Sequence, residues 1–460
     1  MIIVAYYNYK KLATNLTHYP KLLNFAKRMN EDNNFKLYKS LRNKYLDFIS
    51  QYPMIFVDVG LIYFAILIVI HAGSWSLSYD EAHSFLYYVE RTNFGFLSFY
   101  SIANNHPLYS LLMTISTKLY GHSEIALRLP SILSGLIYLY ICRIVISKSQ
   151  FKAMSFALLI LIYLIIGFFS LARGYGLAVT LLALGFIKFN ISNQHQTNVS
   201  QLLFFVLLAT FSIYTTTVFL YSVLLVVLVK DFLLKGKAVL KSRIINKYSI
   251  IGLLPLISLL VLSIKSGENL YGSEDFWQDG ILYFVNIYAK DNLSIILLLS
   301  VFAFFIGLIV YYFKQLSSNL QISILSISIG IIIWPMFSYI FSIKYPTGRL
   351  LIPYIFLVNF ILIMSVIEIY PLVKPLVKKL VSISSYTIFF ILAFNYFMSD
   401  YKLQGMGEDL MLLELTSPDE CLDQHIYENP ASLYYEWRYL YREDVDLSRK
   451  NRKRKMQLCD

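Results

Sequence analysis

The chain has 460 residues, 57% of them hydrophobic and only 15% charged, whereas soluble globular domains carry about a quarter charged residues. That excludes a soluble globular protein and points to a polytopic membrane protein. The net charge of +12 is no nucleic-acid signature, because Lys and Arg sit in short clusters between apolar runs, as in cytoplasmic loops, so no nucleic-acid partner is expected.

In chain order, residues 1–53 are polar and basic after a short apolar start. They lack a signal-peptide pattern, so the first span is expected to act as its own insertion signal. Runs able to cross about 30 Å of hydrocarbon cover residues 54–73, 125–146, 153–169 and 176–191. Residues 201–230 read as two short helices around the polar tip Tyr214-Thr215-Thr216-Thr217. Further runs cover 249–264, 293–313, 321–341, 350–368 and 381–398. The fold class is thus all-α, with about 11 transmembrane helices and a large first outer loop, 74–124. Within that loop AHSFLYYVE and HPLYSLLMTISTKLY have amphipathic helical periodicity and are expected to lie along the membrane surface. Asp80, His83, Ser84 and Tyr87 share one helix stripe. Residues 399–460 form a short tail ending in the basic run RKNRKRK, expected to be solvated.

Basic residues predict the topology. With the N-terminus cytoplasmic, residues 1–53 and the inner loops hold most of the Lys and Arg near span ends. The outer side then carries the acidic loop SGENLYGSEDFWQDG and the tail. Of the three cysteines, Cys142 lies in an apolar run, while Cys421 and Cys459 lie in the tail with no metal-ligand spacing. The tail pair is a disulfide candidate in an oxidising compartment.

Against the charge rule, Arg128, Arg173 and Arg349 fall at expected outer ends of spans, on the side that also carries Asp80-Glu81. A guanidinium at headgroup depth is suited to hold a phosphate through paired hydrogen bonds. The plainer readings are snorkelling or a loop salt bridge for each arginine, and an acidic first helical turn for the carboxylates. A sugar on a polyprenyl phosphate fits the first set of readings. Its transfer needs one base for the acceptor hydroxyl and cations for the departing phosphate, but not the second, protonated carboxyl of a glycosidase. Asp80 is the expected base. Glu81, on another helix face, is expected to orient Arg128 or another cation.

The order YDEAHSFLYY, NNHPLYSLLMTISTKLYGHSEIALRLPS, SLARGYGLA and YPTGRLLIPYIF resembles the GT-C membrane glycosyltransferases. Within that class it is similar to the glycosyltransferase 39 or RgtA-like family, bacterial relatives of protein O-mannosyltransferases and of the lipid A aminoarabinose transferase. The resemblance covers roughly residues 54–400 and is strongest from Ser78 to Pro130. It implies a GT-C transmembrane domain over 54–398, with Asp80 catalytic and Glu81 beside it. It also implies that Arg128 supports the acidic pair, that His106, Pro107 and Tyr109 line the site floor, and that Arg173, Tyr175 and Arg349 meet the donor phosphate. Many relatives have two prolines where this chain has His106-Pro107, so His106 stands either as a helix cap or as a substrate ligand. Lys344 is a further cationic candidate by position, or a solvated loop lysine.

The expectation is therefore an inner-membrane glycosyltransferase with its site on the outer side. It would move a sugar, with inversion, from a polyprenyl-phosphate donor to an envelope acceptor that is protein, lipid or polysaccharide. No cofactor stands out with certainty, and a divalent metal is not favoured. Adjacent carboxylates suit a hard divalent ion, but too few oxygen ligands accompany them, and the resemblance implies a metal-free mechanism. The alternatives are a transporter or flippase for a lipid phosphate or lipid-linked sugar, and a non-catalytic GT-C-like assembly subunit. Mid-span ionisable groups and internal repeats would mark the transporter, and neither stands out in the sequence. Sugar, acceptor and oligomeric state have no readable motif.

Overall fold

Inside a bilayer every backbone N–H and C=O must be satisfied by the protein itself, and the described residues meet that demand with helices and no strand. The structure, a computed structural model, describes residues 54–75, 77–90, 106–191, 195–235, 282–289, 291–341 and 348–398. The basic segment 1–53, residues 91–105 of the first loop, the expected span 249–264, the acidic loop, Lys344, and the tail with Cys421 and Cys459 lie outside them. The chain divides into two compact units, Met1–Val59 and Gly60–Asp460. Of the first, only residues 54–59 are described, the opening of helix α1.

Helix α1 spans Ile55–Ser74. Ile62, Tyr63, Ile66, Val69 and Ile70 form an exposed apolar face, while Phe64, Ile68 and Ala72, four residues apart, are buried; such a helix is apolar all round because lipid lies on its outer side. The short α2 (Tyr79–Phe85) passes into one wide π-helical turn, Leu86–Glu90. Helix α3 (Pro107–Tyr120) opens on a proline at its first turn, where the missing N–H has no intrahelical use. It closes at Gly121, whose φ of 76° suits glycine. Helix α4 is Glu124–Lys148, α5 Lys152–Ile160 and α6 Tyr163–Gly167. Then come α7 (Gly174–Ile191), α8 (His195–Ser212) and α9 (Thr217–Lys235). The last five are α10 (Tyr283–Tyr288), α11 (Asn292–Tyr312), α12 (Ser318–Phe341), α13 (Ile352–Ile369) and α14 (Pro375–Met398).

Six of these helices are long and apolar enough to cross a membrane, so the chain is an all-α membrane protein. Three more of the expected spans are shorter apolar helices, within α7, α8 and α12. The polar tip between α8 and α9 is a short 3-10 turn, Tyr214–Thr216. Helix α7 packs along α8, α4 and α13 at the centre. The span containing α13 is 78% buried and that of α11 only 11%, so α13 is core and α11 faces outward.

The span expected over 153–169 is not continuous: it breaks at Leu161-Ile162, between α5 and α6. A break releases carbonyls that the next turn would have bonded. Here Asn359 of α13 donates to Leu158 O (2.8 Å) and Tyr138 of α4 donates to Leu159 O (2.8 Å). Asn359 in turn accepts from the Tyr288 hydroxyl (2.9 Å), and Asn395 donates to the Tyr288 carbonyl. One buried network thereby ties α4, α5, α10, α13 and α14. Hydropathy is blind to it, because it reads ALLILIYLIIGFF only as apolar.

Replacing Asn359 by Leu strands the Leu158 carbonyl and the Tyr288 hydroxyl, at about 1–3 kcal/mol for each unsatisfied group. The melting temperature in detergent is expected to fall clearly; an unchanged value refutes the network's role.

Candidate functional site

Ser78-Tyr79-Asp80-Glu81 folds as a capping box. Ser78 Oγ accepts from Glu81 N–H (3.4 Å), and Ser78 N–H donates to Glu81 Oε2 (2.9 Å). That geometry turns the Glu81 carboxylate inward, where Arg128 of α4 meets it with two hydrogen bonds, Nε to Oε1 and Nη2 to Oε2, both 2.8 Å. Ala172 N–H adds a third partner, 2.5 Å from Oε1. Four donors saturate the carboxylate. Arg128 Nη1 also donates to Ala72 O (3.0 Å) and Trp75 O (2.6 Å), terminal carbonyls of α1 that a cation suits. Both side chains are fully buried. Burial pulls the Glu81 carboxyl upward, but the Arg128 charge and hydrogen bonds, with the N–H groups of Ala172 and Ser78, hold it below its usual value.

Asp80, one residue earlier, faces another way. Its Oδ2 is 3.5 Å from Arg173 Nη2 and bonded to Arg349 Nη1. Arg173 is nearly fully buried, while the side chains of Asp80 and Arg349 keep 20% and 31% of their exposure, so the cluster opens on the side of Asp80 and Arg349. Arg173 sits on the corner before α7, with its guanidinium 5.7 Å from the Tyr175 ring centroid. Arg349 lies in the 3-10 turn Gly348–Leu351 that leads into α13. The three groups together carry one net positive charge.

His106 and Tyr175 complete the floor, their rings edge to face at 5.3 Å. His106 is 5% exposed, and its Nδ1 lies 2.9 Å from the Ser212 carbonyl. A carbonyl only accepts, so Nδ1 carries the hydrogen and the neutral ring keeps a lone pair on Nε2. Burial pushes the His106 pKa well below its usual value. The Arg173 and Arg349 charges add to this, against the opposing effects of the Ser212 bond and Asp80. Gly174 makes the approach feasible: a Cβ there would lie 2.1 Å from Ser212 O and 3.0 Å from the His106 ring.

Beneath the site α3 braces α4 around Pro130, which lies inside that helix. Pro130 has no N–H for the Ala126 carbonyl, and Ser116 Oγ takes its place at 2.5 Å. Tyr109 donates to Leu127 O (2.9 Å) and accepts from Ser131 Oγ (3.2 Å); Ser131 Oγ also reaches Arg173 O at 3.3 Å. Burial raises the Tyr109 pKa, so its hydroxyl stays protonated and a donor.

The expected residues therefore divide. Asp80, Arg173, Arg349, His106 and Tyr175 gather at one end of the bundle. Arg128, expected both to support the acidic pair and as a phosphate candidate, does the first, bonded to Glu81; Tyr109, expected on the site floor, spends its hydroxyl on α4. Among the described residues no group of three or more His, Cys, Asp or Glu comes together to hold a metal, and Asp80 and Glu81 turn to different arginines. Ser212, Ala172, Ser116 and Ser131 join the site without a role that the sequence alone assigns. Pro130 in a helical run is the available signal for Ser116, since it leaves the Ala126 carbonyl in need of a donor. No protein-family model, curated protein or solved structure matches this chain.

Removing one partner of the buried pair, Arg128→Met, is expected to cost about 3–5 kcal/mol. The double variant Glu81→Leu/Arg128→Met should regain part of that loss; a double variant no more stable than the single refutes the pairing as its cause. His106 predicts a pH dependence of stability. The unfolded imidazole takes up its proton near pH 6.5 and the folded one well below, so the unfolded state binds more protons in that interval. Stability should fall as pH drops from about 6.5, more steeply in wild type than in His106→Asn; parallel melting curves against pH would exclude it.

Proposed function

We propose that this protein is a membrane glycosyltransferase, a hexosyl- or pentosyltransferase, that moves a sugar from a polyprenyl-phosphate donor to an envelope acceptor. The placing in a bacterial plasma membrane, with the N-terminus cytoplasmic and the site outside, rests on the charge pattern of the loops. The observation that carries the reading is Asp80 of α2, partly open, between Arg173 and Arg349. Two guanidiniums beside one carboxylate fit a phosphate that gains negative charge as it leaves, and the lone carboxylate fits a base.

In this state the arginines hold Asp80 itself. A donor phosphate, carrying more charge and more acceptor oxygens than a carboxylate, competes for Arg349 and Arg173. Its arrival frees Asp80 to turn to the acceptor. Asp80 then takes the proton of the acceptor hydroxyl as the oxygen bonds the anomeric carbon from the face opposite the phosphate. The bond from that carbon to the phosphate oxygen breaks, and its electron pair leaves on polyprenyl phosphate between the arginines. The product is the inverted glycoside, and Asp80 returns its proton to water. Glu81, saturated by its four donors, has no share in proton transfer; it holds Arg128 and the corner that presents Arg173.

The test is release of polyprenyl phosphate by purified protein from a panel of polyprenyl-phosphate sugars with envelope fractions as acceptors. Asp80→Asn is expected to lower turnover by about 10²–10⁴-fold, the usual worth of a general base. It should also bind polyprenyl phosphate more tightly, because the arginines lose their internal anion. Weaker binding in Asp80→Asn, or donor crossing sealed vesicles without polyprenyl phosphate release, refutes the proposal.

A further inference from the structure

We propose that His106 Nε2 accepts a hydrogen bond from a hydroxyl or amide N–H of the sugar on the lipid-phosphate donor, which makes His106 a specificity-determining residue. This rests on the transferase reading above. His106 occupies the N-cap position of α3 but makes no side-chain cap bond, which removes helix capping as its purpose. Its ring is held by the Nδ1 bond to Ser212 O, the Tyr175 edge and the close approach at Gly174. Opposite Nδ1, Nε2 is buried and has no hydrogen-bond partner among the described residues. Buried polar atoms are almost always satisfied, so a rigidly placed orphan acceptor marks where a ligand's donor is received.

The chemistry of that donor follows from the neighbours. His106 is close enough to Arg173, Arg349 and Asp80 for each to bear on its protonation, and these are the groups expected to hold phosphate and acceptor. A phosphate oxygen offers only acceptors and would repel the Nε2 lone pair. The group facing Nε2 must bring a hydrogen and lie next to the phosphate, as sugar hydroxyls and acylamino groups do. A site built to bond such a group rejects the analogue lacking it more strongly than an apolar pocket rejects a change of size, because its own polar atom is then left without a partner.

Two substitutions separate the nitrogens. In His106→Asn the amide takes the place of Nδ1 and nothing replaces Nε2; in His106→Gln the amide reaches the Nε2 position and the Ser212 bond is lost. Binding of polyprenyl monophosphate and of polyprenyl-phosphoryl sugars is measured for each, along with monodeoxy donors on wild type. For His106→Asn, affinity for polyprenyl monophosphate should stay within about twofold, while affinity for the sugar donor should fall about tenfold or more, the scale of one lost bond. His106→Gln should recover much of that loss. One monodeoxy donor should be correspondingly weak on wild type and suffer no further loss in His106→Asn, the coupling of a shared bond. Equal weakening of both lipids, or no deoxy position coupled to His106, overturns the inference. If His106→Asn does not fold, the inference still falls when no monodeoxy donor binds wild type more weakly than the full sugar donor. Wild type that binds both lipids but releases no polyprenyl phosphate defeats the transferase reading alone, and wild type that binds neither defeats both.

Discussion

Everything at this end of the bundle depends on one buried ion pair, Glu81 with Arg128. Taking two charges out of water is tolerable only when geometry is close and the remaining lone pairs and protons are used, and here they are. The carboxylate receives four donors, and the guanidinium reaches two terminal carbonyls of α1 as well as Glu81. The pair thereby joins α1, α2, α4 and the corner before α7, elements far apart in the chain. Without it α2, seven residues long, would keep its capping box, the Asp80 ion pairs and the buried Ala82 and Phe85, but its inward carboxylate would stand uncompensated in the interior.

The same pair explains why two adjacent carboxylates have different work. Successive residues on a helix point about 100° apart, so once Glu81 is drawn inward Asp80 must face sideways, toward Arg173 and Arg349. Ala172 connects the two halves: its N–H binds Glu81, and the next residue is Arg173. The Arg173 carbonyl is met by Ser131 on α4, next to Pro130 and to the α4 carbonyls that Tyr109 and Ser116 bond. A buried, fully bonded pair beside a second, partly open carboxylate puts a rigid frame and a partly exposed anion at one place.

Much of the fold was legible because its causes are local. Apolar runs marked most of the helices, the polar tip at Tyr214 separated α8 from α9, and HPLY announced a helix with proline in its first turn. The break at Leu161 was not legible, since what sustains it is Asn359, some two hundred positions away in the chain. The candidate site was legible as a set of residue types: two carboxylates and three arginines against the charge rule. Their division was only partly so. Glu81 was expected to orient a cation, but nothing in the linear order says that Arg128 is consumed by that task or that the Tyr109 hydroxyl serves α4.

By itself, then, the sequence determined that this is a helical membrane protein, where most of its helices run, and which ionisable residues deserve suspicion, because periodicity, apolar length and misplaced charge are properties of short stretches. Only the tertiary structure decided which arginine meets which carboxylate, that His106 gives one nitrogen to Ser212 and keeps the other, and why Gly174 stands where it does. Those outcomes depend on helices meeting at distances of a few ångströms, and that is set by packing between segments the linear sequence keeps apart.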